Sequence, residues 1–157
     1  KHVQAHSSDI PSAMLLAERQ IGKDRAAAIK TYEQVLTKTP DNFVVLNNLA
    51  YLAFEDKNLT RAEELAKKAV SQQRENADAV DTLAQIYVAK GDKAAALKLY
   101  EEVSARPIAN DDVYLNHVSV LLELDKKALA SRNLASREFK SEAAKQRAES
   151  LKQQYGL

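Results

Sequence analysis

The sequence predicts an all-α solenoid of antiparallel helix pairs closed by a C-terminal capping helix, and three observations carry that expectation. Asn42, Asn76 and Asn110 form one recurring set, Ala28, Ala62, Ala96 and Ala130 a second, and the pairs Leu49-Ala50 and Leu83-Ala84 a third. Every step is 34 residues. A unit of that length holds one helix-turn-helix, which cannot bury its apolar face alone and therefore stacks on its neighbours.

Taken in order, residues 1–10 lack periodicity and read as a disordered or frayed tail. A single domain is expected over 11–157, with repeats at about 11–41, 42–75, 76–109 and 110–137 and a capping helix at about 141–155. Pro11 and Ser12 suit a helix start. Gly22 and Asp24 break that helix, and Ala28, Ile29, Tyr32, Val35 and Leu36 mark one face of the next until Pro40 stops it. In the second unit Asn42 caps, Leu49, Ala50 and Ala53 point inward, and Asp56 to Asn58 turn the chain. Ala62, Leu65, Ala66 and Ala69 then line the partner helix. The third unit repeats the plan with Asn76, Val80, Leu83, Ala84 and Tyr87, the Gly91-Asp92 turn, and Ala96, Leu97, Tyr100 and Val103. The fourth departs from it: His117 stands where two earlier units have leucine, and Asn133 and Arg137 fall on apolar steps. Ser141 opens the last helix, with Ala144, Ala148, Leu151 and Tyr155 on one face.

Two recurring residue types have physical roles. An asparagine at a helix start accepts from an otherwise unpaired backbone N–H, contributing about 1 kcal/mol relative to alanine. Alanine at Ala50 and Ala84 lets two helices of a pair approach closely, a contact that a larger side chain overpacks.

Composition narrows the function. The chain has 157 residues, of which 45% are hydrophobic and 29% charged. That suits a globular domain with its own core. Cysteine is absent, which excludes disulfides, thiolate nucleophiles and cysteine zinc sites. The three glycines lie far apart, so no glycine-rich phosphate loop exists. No apolar run approaches the roughly 20 residues that cross a bilayer. The net charge of +1 argues against nucleic acid, which needs basic side chains clustered along one face. Residues 41–124 carry −5 and residues 125–157 carry +4, which is chiefly the charge of solvated helix faces. His117 has no second ligand nearby, and no serine has a base at nucleophile spacing. No catalytic residue, metal or cofactor is expected. The chain begins at Lys1 rather than methionine and reads as a fragment of a longer protein.

The Leu-Ala step, the Gly91-Asp92 turn, the early alanine of each second helix, and Tyr32 and Tyr100 four residues beyond it resemble the tetratricopeptide repeat (TPR) superfamily over about 11–135. The resemblance implies a right-handed superhelical solenoid. More narrowly, Pro40-Asp41-Asn42 through Leu46 to Tyr51, Asp81 to Ala84, and Phe139 through Ala144 to Leu151 resemble the C-terminal repeats of bacterial TPR lipoproteins. Those lipoproteins accompany exosortase (PEP-CTERM) and exopolysaccharide systems. Membership there implies an envelope-attached scaffold, periplasmic or anchored at the outer membrane; without it, the cytoplasm.

In the superfamily the first helix of each pair lines a concave groove that holds partner peptides. The positions in register are Asn47, Asn48, Tyr51 and Phe54 in the second unit. In the third they are Asp78, Asp81, Thr82, Gln85 and Val88, and in the fourth Asn116, Ser119 and Glu123. Asn48 and Asn116 would bond a peptide backbone, and Tyr51 and Phe54 would hold an apolar side chain. The lysines and arginines with which some members grip a C-terminal carboxylate are replaced here by Asn47, Asp78 and Asp81, so a neutral or basic segment fits better. Two functions follow. The first is a non-enzymatic scaffold binding a protein or peptide. The second is a self-assembling homo-oligomeric module in which the acidic middle of one copy meets the basic end of another.

Overall fold

The computed structural model describes residues 9–157. Of the tail expected over residues 1–10, residues 1–8, with His2 and His6, lie outside the described residues, whereas Ile10 is already helical and Asp9 stands at the start of its helix. Among the described residues every regular element is an α-helix: α1 (Ile10–Ile21), α2 (Arg25–Lys38), α3 (Phe43–Glu55), α4 (Leu59–Gln72), α5 (Ala77–Ala89), α6 (Lys93–Val103), α7 (Asp111–Glu123), α8 (Lys127–Ala135) and α9 (Glu142–Tyr155). The all-α expectation holds, and successive helices pack as pairs: α1 with α2, α3 with α4, α5 with α6, α7 with α8. They fall into two compact units, one ending at Gln72 with α4 and one running from Gln73 to Leu157.

The helix starts follow from local chemistry. Asn42 Oδ1 accepts from the Val45 N–H at 3.2 Å, Asn76 Oδ1 from Ala79 at 3.1 Å and Asn110 Oδ1 from Asp112 at 2.9 Å. Asp24, Asp92 and Ser141 cap α2, α6 and α9 in the same way. Each bond satisfies one of the donors that a helix start leaves unpaired. α1, behind Asp9, and α8, behind Lys126, start without a side-chain cap bond, and α8 is short, at 9 residues.

In the first unit α3 and α4 bury Leu46, Leu49, Ala50, Ala62, Leu65, Ala66 and Ala69. Ala50, Ala62 and Ala66 are completely buried, because methyl groups at a crossing let two backbones come close. The turn between the two helices places Lys57 at φ 61°, and the Asn58 N–H closes it onto Ala53 O at 2.9 Å. The second unit repeats the device at Gly91, φ 85°, and at Asp125, φ 58°. There Asp92 N–H reaches Tyr87 O and Lys126 N–H reaches Leu121 O, both at 2.8 Å. A left-handed residue of this kind is a common helix terminator.

The first turn of the chain is built differently. Asp24 N–H bonds Gln20 O at 2.7 Å, four residues back rather than five. This turn is one residue tighter, and α1 is therefore offset from α3 by 33 positions instead of 34. Ala17, wholly buried, occupies the place of Ala50, and Leu15 and Leu16 point outward, each 49% exposed.

In the second unit α5, α6 and α7 form the core with Val80, Leu83, Ala84, Ile86, Ala96, Leu97, Tyr100, Leu115, Val118 and Leu121. The irregular fourth repeat is resolved by specific contacts. His117 stacks on Tyr100, ring centroids 5.2 Å apart and planes 15° from parallel. Arg137 donates to Asp111 Oδ1 from both Nε and Nη2, at 3.0 and 2.6 Å, and to the carbonyls of Ile108 and Ala109. Its guanidinium lies 4.3 Å from the Tyr114 ring centre. A cation thus stands on an apolar step because a carboxylate, two carbonyls and a ring face meet it there. α9 packs on α7 and α8 and ends at Gly156, φ 65°.

Candidate protein-binding surface

On α3, Val44, Asn47, Tyr51 and Phe54 follow one another at steps of three or four and so share a helical stripe. Tyr51 is 51% exposed and Val44 41%, while Asn47 and Phe54 are half-buried. Lys57 Nζ sits 5.6 Å from the centre of the Phe54 ring. Asn47 Oδ1 is buried and takes no hydrogen bond. Asn48 lies at the edge of this stripe, and its Nδ2 donates to Tyr32 Oη on α2 at 3.0 Å. Val44 was not among the residues expected from the sequence. Its signal was there, three residues before Asn47 and seven before Tyr51.

In the second unit α5 and α7 carry a polar network. Tyr100 Oη donates to Asp81 Oδ1 at 2.6 Å, and Gln85 Nε2 donates to Tyr100 Oη at 3.2 Å. Asn116 Nδ2 donates to both Asp81 oxygens, at 2.9 and 3.1 Å. Arg147 of α9 then donates to Asn116 Oδ1 at 2.5 Å and lies 3.6 Å from Asp112. Asp81, Gln85 and Asn116 are thereby held within the chain. Asp78 accepts from Asn110 Nδ2 at 2.9 Å; Thr82 and Ser119 turn their hydroxyls back to the carbonyls of Asp78 and Leu115. Val88 is half-buried, and Glu123 is exposed and pairs with Lys93 at 2.9 Å. The part played by Arg147 was not legible, because it depends on where α9 docks.

The electrostatics follow from burial. Desolvation raises the Asp81 carboxyl above its ordinary value, against the hydrogen bonds from Tyr100, Asn116 and Gln85. Burial, then the neighbouring Asp81 charge, pushes the Tyr100 hydroxyl far up. Burial also lowers His117 to about 4. Its Nδ1 lies 3.3 Å from Ser104 Oγ, and its Nε2 is buried without a partner. The same pair of positions is used in both units, 68 residues apart: Asn48 bonds Tyr32 directly, whereas Asn116 and Tyr100 each bond Asp81. Among the described residues no three His, Asp or Glu side chains gather as a metal site, and no helix is long and apolar enough to cross a membrane.

Paired helices joined by left-handed turns at a fixed period define a helical-repeat protein. Residues 53–114 match the tetratricopeptide repeat family, and solved structures of tetratricopeptide repeat proteins share the fold of the chain. It superposes on a tetratricopeptide repeat protein from Parabacteroides merdae with TM-score 0.75 at 18% identity, covering 94% of this chain and 60% of that one. The chain thus spans less than two thirds of that protein. MamA gives TM-score 0.68 at 22% identity over 80% of this chain and 69% of MamA. The first TPR of Spaghetti (RPAP3), solved bound to the HSP90 peptide SRMEEVD, gives 0.68 at 20% identity over 79% of this chain and 99% of that one. No curated protein sequence matches the chain. Tetratricopeptide repeat domains generally mediate protein–protein interactions and are generally not catalytic.

Proposed function

We propose that the chain is a non-enzymatic scaffold that holds a neutral or basic peptide or protein segment on the exposed faces of its first helices. The observation that carries this reading is the α3 stripe. Val44 and Tyr51 are two of the six large apolar side chains left exposed among the described residues, and they flank two half-buried groups, Asn47 and Phe54. Aromatic and apolar anchors beside amides suit a segment that needs both side-chain burial and hydrogen bonding. Within the second unit taken by itself, the acids Asp78 and Asp112, exposed on α5 and α7, favour a basic segment on that unit's own surface. The first TPR of Spaghetti, solved bound to an HSP90 peptide, is a precedent for a domain of this fold binding a peptide.

The test is affinity capture followed by quantitative mass spectrometry, using wild type and a Val44→Ser, Tyr51→Ala double variant. These two side chains are exposed, so the variant keeps its fold, which a circular dichroism melt checks. Loss of specific partners is expected. An unchanged partner set would remove α3 from the binding surface.

The narrower resemblance through Pro40–Tyr51 and Phe139–Leu151 supports attachment to a bacterial envelope in an exopolysaccharide or protein-sorting system. Cell fractionation of the full-length protein tests that extension, and recovery in the cytosol would refute it.

A further inference from the structure

A cavity of about 180 Å³ opens between α2, α3 and α4 in the first unit. Its floor is hydrocarbon: Leu49 and Leu65, both 3% exposed, with the half-buried Ile29 and Ala53. Ala53 is the reason the space exists. One and two periods further on, Tyr87 and Leu121 occupy that position in the second unit, and Leu121 is completely buried. In the first unit a single methyl group stands there and leaves the volume of a larger side chain unfilled. Leu49, Ala53 and Asp56 stand on the side of α3 turned away from Val44, Tyr51 and Phe54, so the cavity and the α3 stripe are separate surfaces.

The rim supplies a charge. Asp56 is engaged by Arg25, whose Nε lies 2.9 Å from it. Arg61 lies 3.6 Å from Glu64 on its own helix, and its backbone N–H donates to Asn58 Oδ1 at 3.2 Å. Glu33, on α2, makes no hydrogen bond or ion pair among the described residues. The unmatched charge at the mouth is therefore negative.

We propose that this cavity binds a small organic amine, with one ring or a short hydrocarbon chain seated on Ile29, Leu49, Ala53 and Leu65 and its ammonium group beside Glu33. Size sets the first limit. Drug-sized ligands and cofactors occupy roughly 300 Å³ or more, whereas an apolar cavity of about 150 Å³ takes a single benzene ring. Charge sets the second. A carboxylate ligand meets Glu33 with like sign, and a neutral hydrocarbon fills the floor but leaves that acid unmatched. An ammonium on an apolar body satisfies both parts of the site. The cavity is distinct from the α3 stripe, so its test does not depend on the function proposed above.

The experiment titrates the methyl-labelled full chain with benzylamine and follows the methyl signals of Ile29, Leu49 and Leu65 by heteronuclear NMR. Saturable shifts at these three residues are expected. Benzyl alcohol, similar in size but neutral, should bind about threefold more weakly, and benzoate should not saturate. Glu33→Gln should erase the preference for the amine over the alcohol while leaving the alcohol's affinity unchanged. Ala53→Leu should fill the space, abolish the shifts and leave the thermal midpoint equal or higher. Glu33 is exposed, so its variant tests the charge even where Ala53→Leu disturbs the fold. Absence of saturable shifts, benzoate binding as tightly as benzylamine, or wild-type affinity in a folded Ala53→Leu would overturn the proposal. So would a tripeptide Phe-Ala-Ala that binds more tightly than benzylamine, which would give the cavity to the first residue of a polypeptide rather than to a free amine.

Discussion

His117 provides a quantitative test of how the second unit is packed. In the folded chain its ring is stacked on Tyr100 and its Nε2 is buried without a partner, so the imidazole resists protonation down to about pH 4. In the unfolded chain it titrates near 6.5. Between these values the unfolded state binds the extra proton. Stability from this group is therefore complete above about pH 6.5, declines as the pH falls, and levels off below about 4. A gap of roughly 2.5 pH units at 1.36 kcal/mol each corresponds to about 3 kcal/mol over the window, of which about 2 kcal/mol is lost by pH 5. Asp81 acts with the opposite sign. Its carboxyl is raised in the fold, so protonation below that raised value returns stability that ionisation had cost. A difference between two proteins that both keep Asp81 cancels its contribution. The partner for that comparison is His117→Leu, which restores the residue type of Leu49 and Leu83 and removes the unpaired nitrogen. Urea unfolding followed at 222 nm should find the variant more stable by about 1 kcal/mol at pH 7, with the gap widening toward pH 5. A stability difference that stays flat from pH 7 to pH 5 would refute the packing described for His117.

Other expectations follow from single contacts. Ala84 is completely buried at a helix crossing, so Ala84→Leu should lower stability by about 1–3 kcal/mol in a thermal or urea melt. Lys57 adopts φ 61° in a turn where Gly91 serves the same role, and Lys57→Gly should stabilise by about 0.5–1 kcal/mol, measurable as a higher urea midpoint. Asp111 is held below its ordinary value by the Lys140 N–H and then by Arg137. Its contribution is present above the unfolded carboxyl value near 3.9 and disappears as the pH falls through the lower folded value. Asp111→Asn should therefore flatten the steepest part of acid unfolding below pH 4, followed by circular dichroism. Arg137→Ala removes the bonds to two loop carbonyls and leaves Asp111 with the Lys140 N–H alone, and should lower stability at neutral pH by about 1–3 kcal/mol in a urea melt.

What the sequence revealed was local or periodic. Asn42, Asn76 and Asn110 announce helix starts because a cap involves residues two or three apart, and the buried alanines announce crossings because the period repeats them. That the first helix pair is a residue or two short could be read from the spacing, but not which residues of α1 then face inward, because the missing residue lies in a turn whose hydrogen bond closes over four positions instead of five. That slip decides whether Leu16 is core or surface. The bonds of Asp81 were hidden for another reason: Tyr100 and Asn116 lie 19 and 35 residues away, beyond any local pattern. Arg137, out of place on an apolar step, makes sense only once Asp111 and Tyr114 stand opposite it. On the candidate surface Tyr51 could be placed from helical spacing alone, while the engagement of Asn48 by Tyr32 depended on the neighbouring helix.

The chain of bonds from Asp81 through Asn116 to Arg147 has a mechanical consequence. Hydrocarbon contacts tolerate sliding, since a leucine finds new neighbours after moving an ångström or two. These three side chains do not, because each bond has a direction and a short reach. α5, α7 and α9 are therefore indexed to one another like teeth on a rack. A sideways displacement of the last helix by more than the reach of a hydrogen bond breaks the Arg147–Asn116 bond, so these bonds fix the spacing of the three helices.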